Sequence, residues 1–270
     1  MTADLYHETA YAKINLALHV RRRRADGYHE LETVFAFVDA GDELVATPAE
    51  ADRLEVVGEF SSALEGDGDN IVTRALSLLP HGKGWHVRLD KRLPVAAGLG
   101  GGSADAGAIF RLVERVNGLP SDWEVHAAGL GADVPACVAS RALVGRGTGT
   151  DLAEVDNDLA GTPVLLVNPR VALPTGPVFR GWDQVDRGPM PEGDLRTIAL
   201  TGRNDLEAPA VALVPVIAQV LEKLSRSGAW LSRMSGSGAT CFALFDDVMA
   251  RDAAAASLPP EWWRLAGKLI

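Results

Sequence analysis

The stretch Pro94-Val95-Ala96-Ala97-Gly98-Leu99-Gly100-Gly101-Gly102-Ser103-Ala104-Asp105-Ala106-Gly107 decides how the rest of this chain is read. Residues 98–102 contain four glycines, and Ser103 follows them. Glycine leaves backbone N–H groups uncovered, so such a run can wrap an anion. Beyond it Ile109, Leu112, Val113 and Val116 recur at i, i+3, i+4 and i+7, and Asn117-Gly118 is a stop signal, so a helix opens where the loop ends. Loop and helix N-terminus together make a phosphate site. Ahead of the loop, Trp85, Val87 and Leu89 alternate with His86, Arg88 and Asp90, which predicts a strand buried on one face only.

Spacing separates the known phosphate loops. A Walker A loop needs Lys and then Ser/Thr directly after its last glycine, but Gly102 is followed by Ser103-Ala104-Asp105. The dinucleotide fingerprint needs a third glycine where Ser103 stands and a fully buried parallel strand in front of it. A glycine-rich surface loop without a ligand is the remaining alternative, and such loops rarely open a helix of small residues.

At 270 residues, 47% hydrophobic and 23% charged, the composition is that of a globular enzyme of one large or two small domains. A formal net charge of −10 argues against a nucleic-acid partner, whose binding rests on cationic phosphate contacts. Residues 1–10 hold no apolar run and no membrane-length run follows, so the expectation is a cytoplasmic protein without secretory signal or membrane span. Cys137 and Cys241 are far apart in apolar stretches and read as buried free thiols, and the six histidines show no paired ligand spacing. The basic run Arg21 to Arg24 precedes the turn signal Asp26-Gly27 and reads as a solvated hairpin end.

Along the chain, residues 9–20 alternate as a strand with Lys13 and Asn15 on one face. Strands are expected at 31–38, 43–46 and 54–57, separated by Ala40-Gly41-Asp42 and later breaks, and a helix at 69–79. Ser121 and Glu124 form a capping-box pattern that opens another helix, ending before Gly129 or Gly131. An Asp- and Gly-rich run to residue 161 places a domain boundary near 155, giving 1–155 and 156–270. The second half reads strand 163–167, helix 206–224, strand 230–234, a glycine turn, strand 240–245, helix 247–257 and strand 263–269. That order fits an α+β sandwich of antiparallel strands with helices on one face.

The segment 94–106 resembles the nucleotide-phosphate loop of the GHMP small-molecule kinase superfamily. Ala12-Lys13-Ile14-Asn15-Leu16, Asp26-Gly27-Tyr28-His29-Glu30, Gly131-Ala132-Asp133-Val134-Pro135 and Gly236-Ser237-Gly238-Ala239 resemble further segments of it, so the likeness runs from about Tyr11 to Gly238. It implies a two-domain α+β fold, N-terminal ribosomal-protein-S5-domain-2-like and C-terminal ferredoxin-like α/β sandwich. It also implies ATP as phosphoryl donor, with Mg²⁺ as the ATP counterion. The Asp26–Glu30 segment points to those members that phosphorylate the 2-hydroxyl of a cytidylyl-methylerythritol in the non-mevalonate isoprenoid route. A homoserine, mevalonate or sugar kinase would share the loop but lack that segment, and a silent binding protein would not need both Lys13 and Asp133.

What the resemblance implies for single residues differs from what local sequence favours. Asp133 alone would read as a turn or N-cap aspartate; by resemblance it is the catalytic base. Lys13 alone would be a solvated strand lysine; by resemblance it pairs with Asp133 and stabilises the forming alkoxide. Tyr28 and His29 are locally a hairpin aromatic and a satisfied histidine; the resemblance has them stack on and hydrogen-bond to cytosine. It nominates Phe179 for the other face of the base, with Thr175 beside it and Asn15 at the erythritol end, although Thr175-Gly176-Pro177 departs from the commoner Thr-Pro form. The backbone of residues 94–104 would cradle ATP with Ser103 as a hydroxyl donor, and Lys91 would contact adenine. Gly236-Ser237-Gly238 is either a plain hairpin turn or the motif packed beside the phosphate loop.

Overall fold

The computed structural model describes residues 5–64 and 70–270; Asp69, where a helix start was expected, and residues 1–4 lie outside that range. The chain forms two compact units that interleave along the sequence, rather than following one cut near residue 155. The first takes residues up to 12, 41–95 and 100–140, and the second takes 13–40, 96–99 and 141–270. The interleaving follows from two long strands, β1 (Tyr6–Arg23) and β2 (His29–Ala49), each of which contributes to both units.

In the first unit, the later half of β2 pairs antiparallel with β4 (Gly84–Asp90), from Glu43 opposite Asp90 to Ala49 opposite Gly84. β3 (Arg53–Val57) lies parallel on the other side of β4. Trp85, Val87 and Leu89 are buried, as their alternation predicts. β2 runs through Ala40-Gly41-Asp42 without a break. Gly41 is there for clearance: a Cβ on it would lie 1.9 Å from the carbonyl oxygen of Ala10.

Helices α1 (Ile71–Leu78), α2 (Gly101–Asn117), α3 (Trp123–Leu130) and α4 (Val134–Ala139) complete this unit. The Asn70 side chain caps α1 by accepting the N–H of Val72. α2 buries Ile109, Leu112 and Val113, whereas Val116, expected on the same face, is exposed near the helix end. The expected capping box is not made: α3 starts at Trp123 behind Asp122, and no side chain caps it. Small residues bring α2 and α4 together, since a Cβ on Gly107 would lie 2.6 Å from the carbonyl carbon of Cys137.

In the second unit, the early half of β2 pairs antiparallel with β5 (Leu143–Gly147), and β5 with β6 (Asp151–Glu154). This hairpin falls in and just before the Asp- and Gly-rich run read from sequence as a linker. A second, wholly antiparallel sheet has the order β10 (Trp263–Lys268), β7 (Pro163–Asn168), β9 (Cys241–Leu244), β8 (Leu231–Met234). Short helices α5 (Thr175–Arg180) and α6 (Leu195–Thr201) follow β7. The helix expected over 206–224 is two, α7 (Glu207–Leu213) and α8 (Val216–Ser225), because Pro215 lacks an N–H and disfavours helical backbone before it. Ile217, Val220 and Leu224 of α8 join Leu165, Val167 and Ala243 of the sheet in one core, with Ala254 of α9 (Val248–Ser257).

Candidate active site

The glycine loop leaves the first unit after Val95, passes through the second as residues 96–99 and returns at Gly100. In the first unit it ends in α2, whose N-cap is Gly100 and whose first turn holds no acidic residue. The earliest ladder bond runs from the Ala104 N–H to the Gly100 carbonyl at 2.7 Å, so the N–H groups ahead of it point out of an uncapped turn. Such a turn carries about half a positive charge. Ser103 stands on this turn. Its Oγ is 3.8 Å from where a Cβ on Gly131 would be, which brings the Gly131–Pro135 segment to the loop.

Asp133 occupies the N-cap position of α4, yet its side chain makes no capping hydrogen bond. Lys91, expected to contact adenine, is 2% exposed, and its ammonium lies between the buried carboxylates of Asp42 and Asp105 and donates to both, to Asp105 at 2.6 Å. An ammonium taken out of water is held where counter-charges surround it.

In the second unit, alternation along β1 puts Lys13 and Asn15 on one face, and the Lys13 Nζ donates to Asn15 Oδ1 at 3.0 Å. Lys13 is 4% exposed and its ammonium sits 5.1 Å from the Phe35 ring centroid, a cation–π contact. Asn15 Nδ2 donates to Thr33 Oγ1 at 2.8 Å, and Thr33 donates to the Ala17 carbonyl. The Lys13 N–H donates to the Leu99 carbonyl, tying β1 to the glycine loop.

The turn between β8 and β9 holds the same loop from another side. Ser235 Oγ donates to the Gly98 carbonyl and accepts the Asn15 N–H, and the Thr240 N–H donates to the Ala97 carbonyl. Gly236-Ser237-Gly238 is thus both the hairpin connection and a neighbour of the loop. Ser237 Oγ and Thr175 Oγ1 are 3.0 Å apart, which joins the turn to the start of α5.

At the other end of α5, the Phe179 and His29 rings lie 4.9 Å apart between centroids. Tyr28 beside them is 67% exposed, an aromatic face open to solvent. Burial, and next the charge of Arg23, hold the His29 imidazole below its ordinary range. It is neutral at pH 7, with one nitrogen to donate and one to accept.

Sequence reasoning missed several residues that position these groups. Trp182 is buried and meets His29 edge-on at 5.7 Å; a tryptophan just past a helix reads as core. Asn204 Nδ2 donates to the carbonyls of Met234 and Gly236, both at 2.8 Å, and so shapes the turn. An Asn-Asp pair just ahead of α7 was the available signal. Asp42 and Asp105 carried a signal too, as acids inside apolar or small-residue runs. Among the described residues, no group of three or more His, Cys, Asp or Glu side chains gathers as a metal site.

Two family models match the chain: GHMP kinases N terminal domain over residues 70–141 and GHMP kinases C terminal over residues 191–265. A relative from Novosphingobium aromaticivorans, named 4-diphosphocytidyl-2-C-methyl-D-erythritol kinase, is 68% identical over 262 residues, 97% of this chain and 92% of the relative. A crystal structure of 4-(cytidine 5'-diphospho)-2C-methyl-D-erythritol kinase superposes with a TM-score of 0.85 at 32% identity, covering 98% of this chain and 99% of its own. A homoserine kinase from Cytophaga hutchinsonii reaches a TM-score of 0.69 at 17% identity over 100% of this chain and 98% of its own, a likeness of fold alone.

Proposed function

This chain belongs to the 4-diphosphocytidyl-2-C-methyl-D-erythritol kinases of the GHMP kinase family, and from that premise we propose how its residues move the ATP γ-phosphoryl group to the substrate's 2-hydroxyl. The protein is an ATP-dependent small-molecule kinase of non-mevalonate isoprenoid precursor synthesis, and its products are the 2-phosphate and ADP. Phosphoryl transfer passes through a loose transition state, so the protein's task is positioning and charge stabilisation.

The ATP phosphates lie on the backbone of residues 94–104, with the α2 N-terminus and the Ser103 hydroxyl as donors. Asp133 takes the proton of the 2-hydroxyl as that oxygen bonds to the γ-phosphorus and the bond to ADP breaks. A tertiary alcohol is a very weak acid, so the transfer gains from a nearby cation, and Lys13 supplies it against the forming alkoxide and Asp133. Mg²⁺ would come as the counterion of ATP and would offset charge on the phosphates.

The observation that carries the substrate assignment is the contact between His29 and Phe179, which the sequence separates by 149 intervening residues. A neutral imidazole read against two aromatic side chains suits the hydrogen-bonding edge and flat face of cytosine, with Tyr28 and Phe179 on the faces. Asn15 addresses the erythritol end, and Thr175 stands with Phe179 on α5 on the side of the base. As a division of sequence rather than of packing, the two family models fall either side of residue 155 and support a boundary there. We place the protein in the cytoplasm, where ATP and a doubly phosphorylated substrate are held. No helix among the described residues is long and apolar enough to cross a membrane.

The test is ADP release from Mg-ATP with a panel of 4-diphosphocytidyl-2-C-methyl-D-erythritol, homoserine, mevalonate and galactose. Turnover is expected with the cytidylyl substrate alone. Faster turnover with any of the others would move the chain to another branch of the family.

A further inference from the structure

The chemistry above uses the N-terminus of α2 and leaves a lysine and two aspartates buried beside it unexplained. Asp42 lies on β2, Lys91 directly after β4 and Asp105 on the second turn of α2, all in the first unit and all buried. Asp42 Oδ1 accepts the N–H groups of Arg92 at 2.6 Å and Leu93 at 2.7 Å, the residues from which the glycine loop departs. Its Oδ2 accepts from Lys91, whose ammonium also donates to Asp105 Oδ2. The ammonium is 3.3 Å, and Asp42 Oδ2 3.8 Å, from the place a Cβ on Gly101 would take. The cluster therefore lies against the first residue of the helix that faces the phosphates. Asp105 Oδ1 is buried with no hydrogen-bond partner.

Two carboxylates under a helix N-terminus work against anion binding there, because their charge cancels the partial positive charge of the exposed N–H groups. A buried cation between them reverses that. Burial pushes the Asp105 carboxyl up to about 8 against the pull of Lys91, and Asp42 adds to the rise. Burial disfavours the charge on Lys91, but Asp105 and Asp42 outweigh it and its ammonium is held. A protonated Asp105 removes the excess negative charge that the three groups would otherwise carry.

We propose that Lys91 is a positioning residue of the phosphate loop and not a nucleotide contact. Held between Asp42 and Asp105 beneath the first turn of α2, it offsets the Asp42 carboxylate, so that ATP phosphates meet that turn without opposing carboxylate charge. Through Asp42 it also fixes the backbone at residues 92 and 93. The inference rests on the reading that the α2 N-terminus receives the phosphates.

A base contact and a buried counter-charge differ in what they do to a ligand without a base. Calorimetric titration with ATP and with inorganic tripolyphosphate separates them, applied to the wild type, Lys91→Met, Asp42→Asn and the double variant, with thermal melts as a check of folding. Lys91→Met should weaken both ligands alike by about tenfold, the scale of charge effects at a helix terminus. Adding Asp42→Asn, which keeps the side-chain oxygen that accepts the Arg92 and Leu93 N–H groups, should restore most of that loss, because it removes the charge left unbalanced. A loss of ATP affinity with tripolyphosphate unchanged returns Lys91 to a base contact and overturns the proposal, as does a double variant no better than Lys91→Met. If Lys91→Met does not fold, Asp42→Asn decides: tripolyphosphate bound at least as tightly as by the wild type supports the proposal, and weaker binding overturns it. Turnover by the wild-type enzyme tests the kinase reading separately from all of these.

Discussion

Ser235 and Gly98, 137 positions apart in the chain, are joined by a hydrogen bond of 2.8 Å from the serine hydroxyl to the glycine carbonyl. Gly98 has a φ of +75°, and a Cβ on it would lie 2.3 Å from the Ser235 carbonyl oxygen. The loop is thus pressed against the turn in a backbone conformation that favours glycine.

Gly98→Ala should therefore lower the unfolding midpoint and raise the KM for ATP, since the new methyl forces the loop off the turn. Ser235→Ala should cost about 1–3 kcal/mol in urea unfolding, because the Gly98 carbonyl and the Asn15 N–H both lose a partner in a buried setting. A Gly98→Ala protein with unchanged midpoint and ATP KM would show that the loop does not depend on this contact.

Periodicity made most elements legible, and tertiary approach explains most of what was not. The α2 face and the β4 alternation were visible because they are local patterns. Gly41 read as a turn because a glycine needed for clearance against Ala10 looks in sequence like one needed for a bend. Lys13, Asn15, Tyr28, His29 and Asp133 stood out in the sequence as motif residues. Lys91 was legible as a residue but its buried partners were not, since they lie 49 and 14 positions away. Ser235, Asn204 and Trp182 acquire meaning only once the loop, the turn and His29 are brought to them.

Asp133→Asn keeps the shape of the side chain and removes the proton acceptor. A fall in kcat of roughly 10²-fold or more is expected, with the calorimetric affinity for ATP little changed. Near-normal turnover in the folded variant would reject Asp133 as the base.

The buried Asp105 gives a pH signature with a definite sign. Its carboxyl is raised from 3.8 to about 8 by burial, so the folded state keeps a proton that the unfolded state has released between those values. More protons are bound by the folded state in that window, so this group's contribution to stability falls as pH rises from about 4 to about 8 and is level above it. Asp105→Asn cannot titrate. In urea unfolding at pH 5, 7 and 9, the variant should gain on the wild type as pH rises, and a constant gap would show an unshifted carboxyl.

The proposed reading of the cytosine base is tested at Tyr28 and His29. If Tyr28 stacks on cytosine opposite Phe179, Tyr28→Ala should weaken binding of the cytidylyl substrate by about 1–3 kcal/mol, the range for bases stacked on aromatic side chains, and leave ATP affinity where it was. His29→Ala should relax discrimination against a uridylyl analogue, since a site that pairs with one base edge rejects another through the polar groups left unpaired. Burial and Arg23 keep His29 below its ordinary value, so the wild-type KM for substrate should be flat across neutral pH and rise only in acid, once the imidazole takes up a proton and loses its acceptor. A wild type that phosphorylates free methylerythritol as readily as the cytidylyl form, or a Tyr28→Ala protein with unaltered substrate affinity, would mean that the base is not read by these rings.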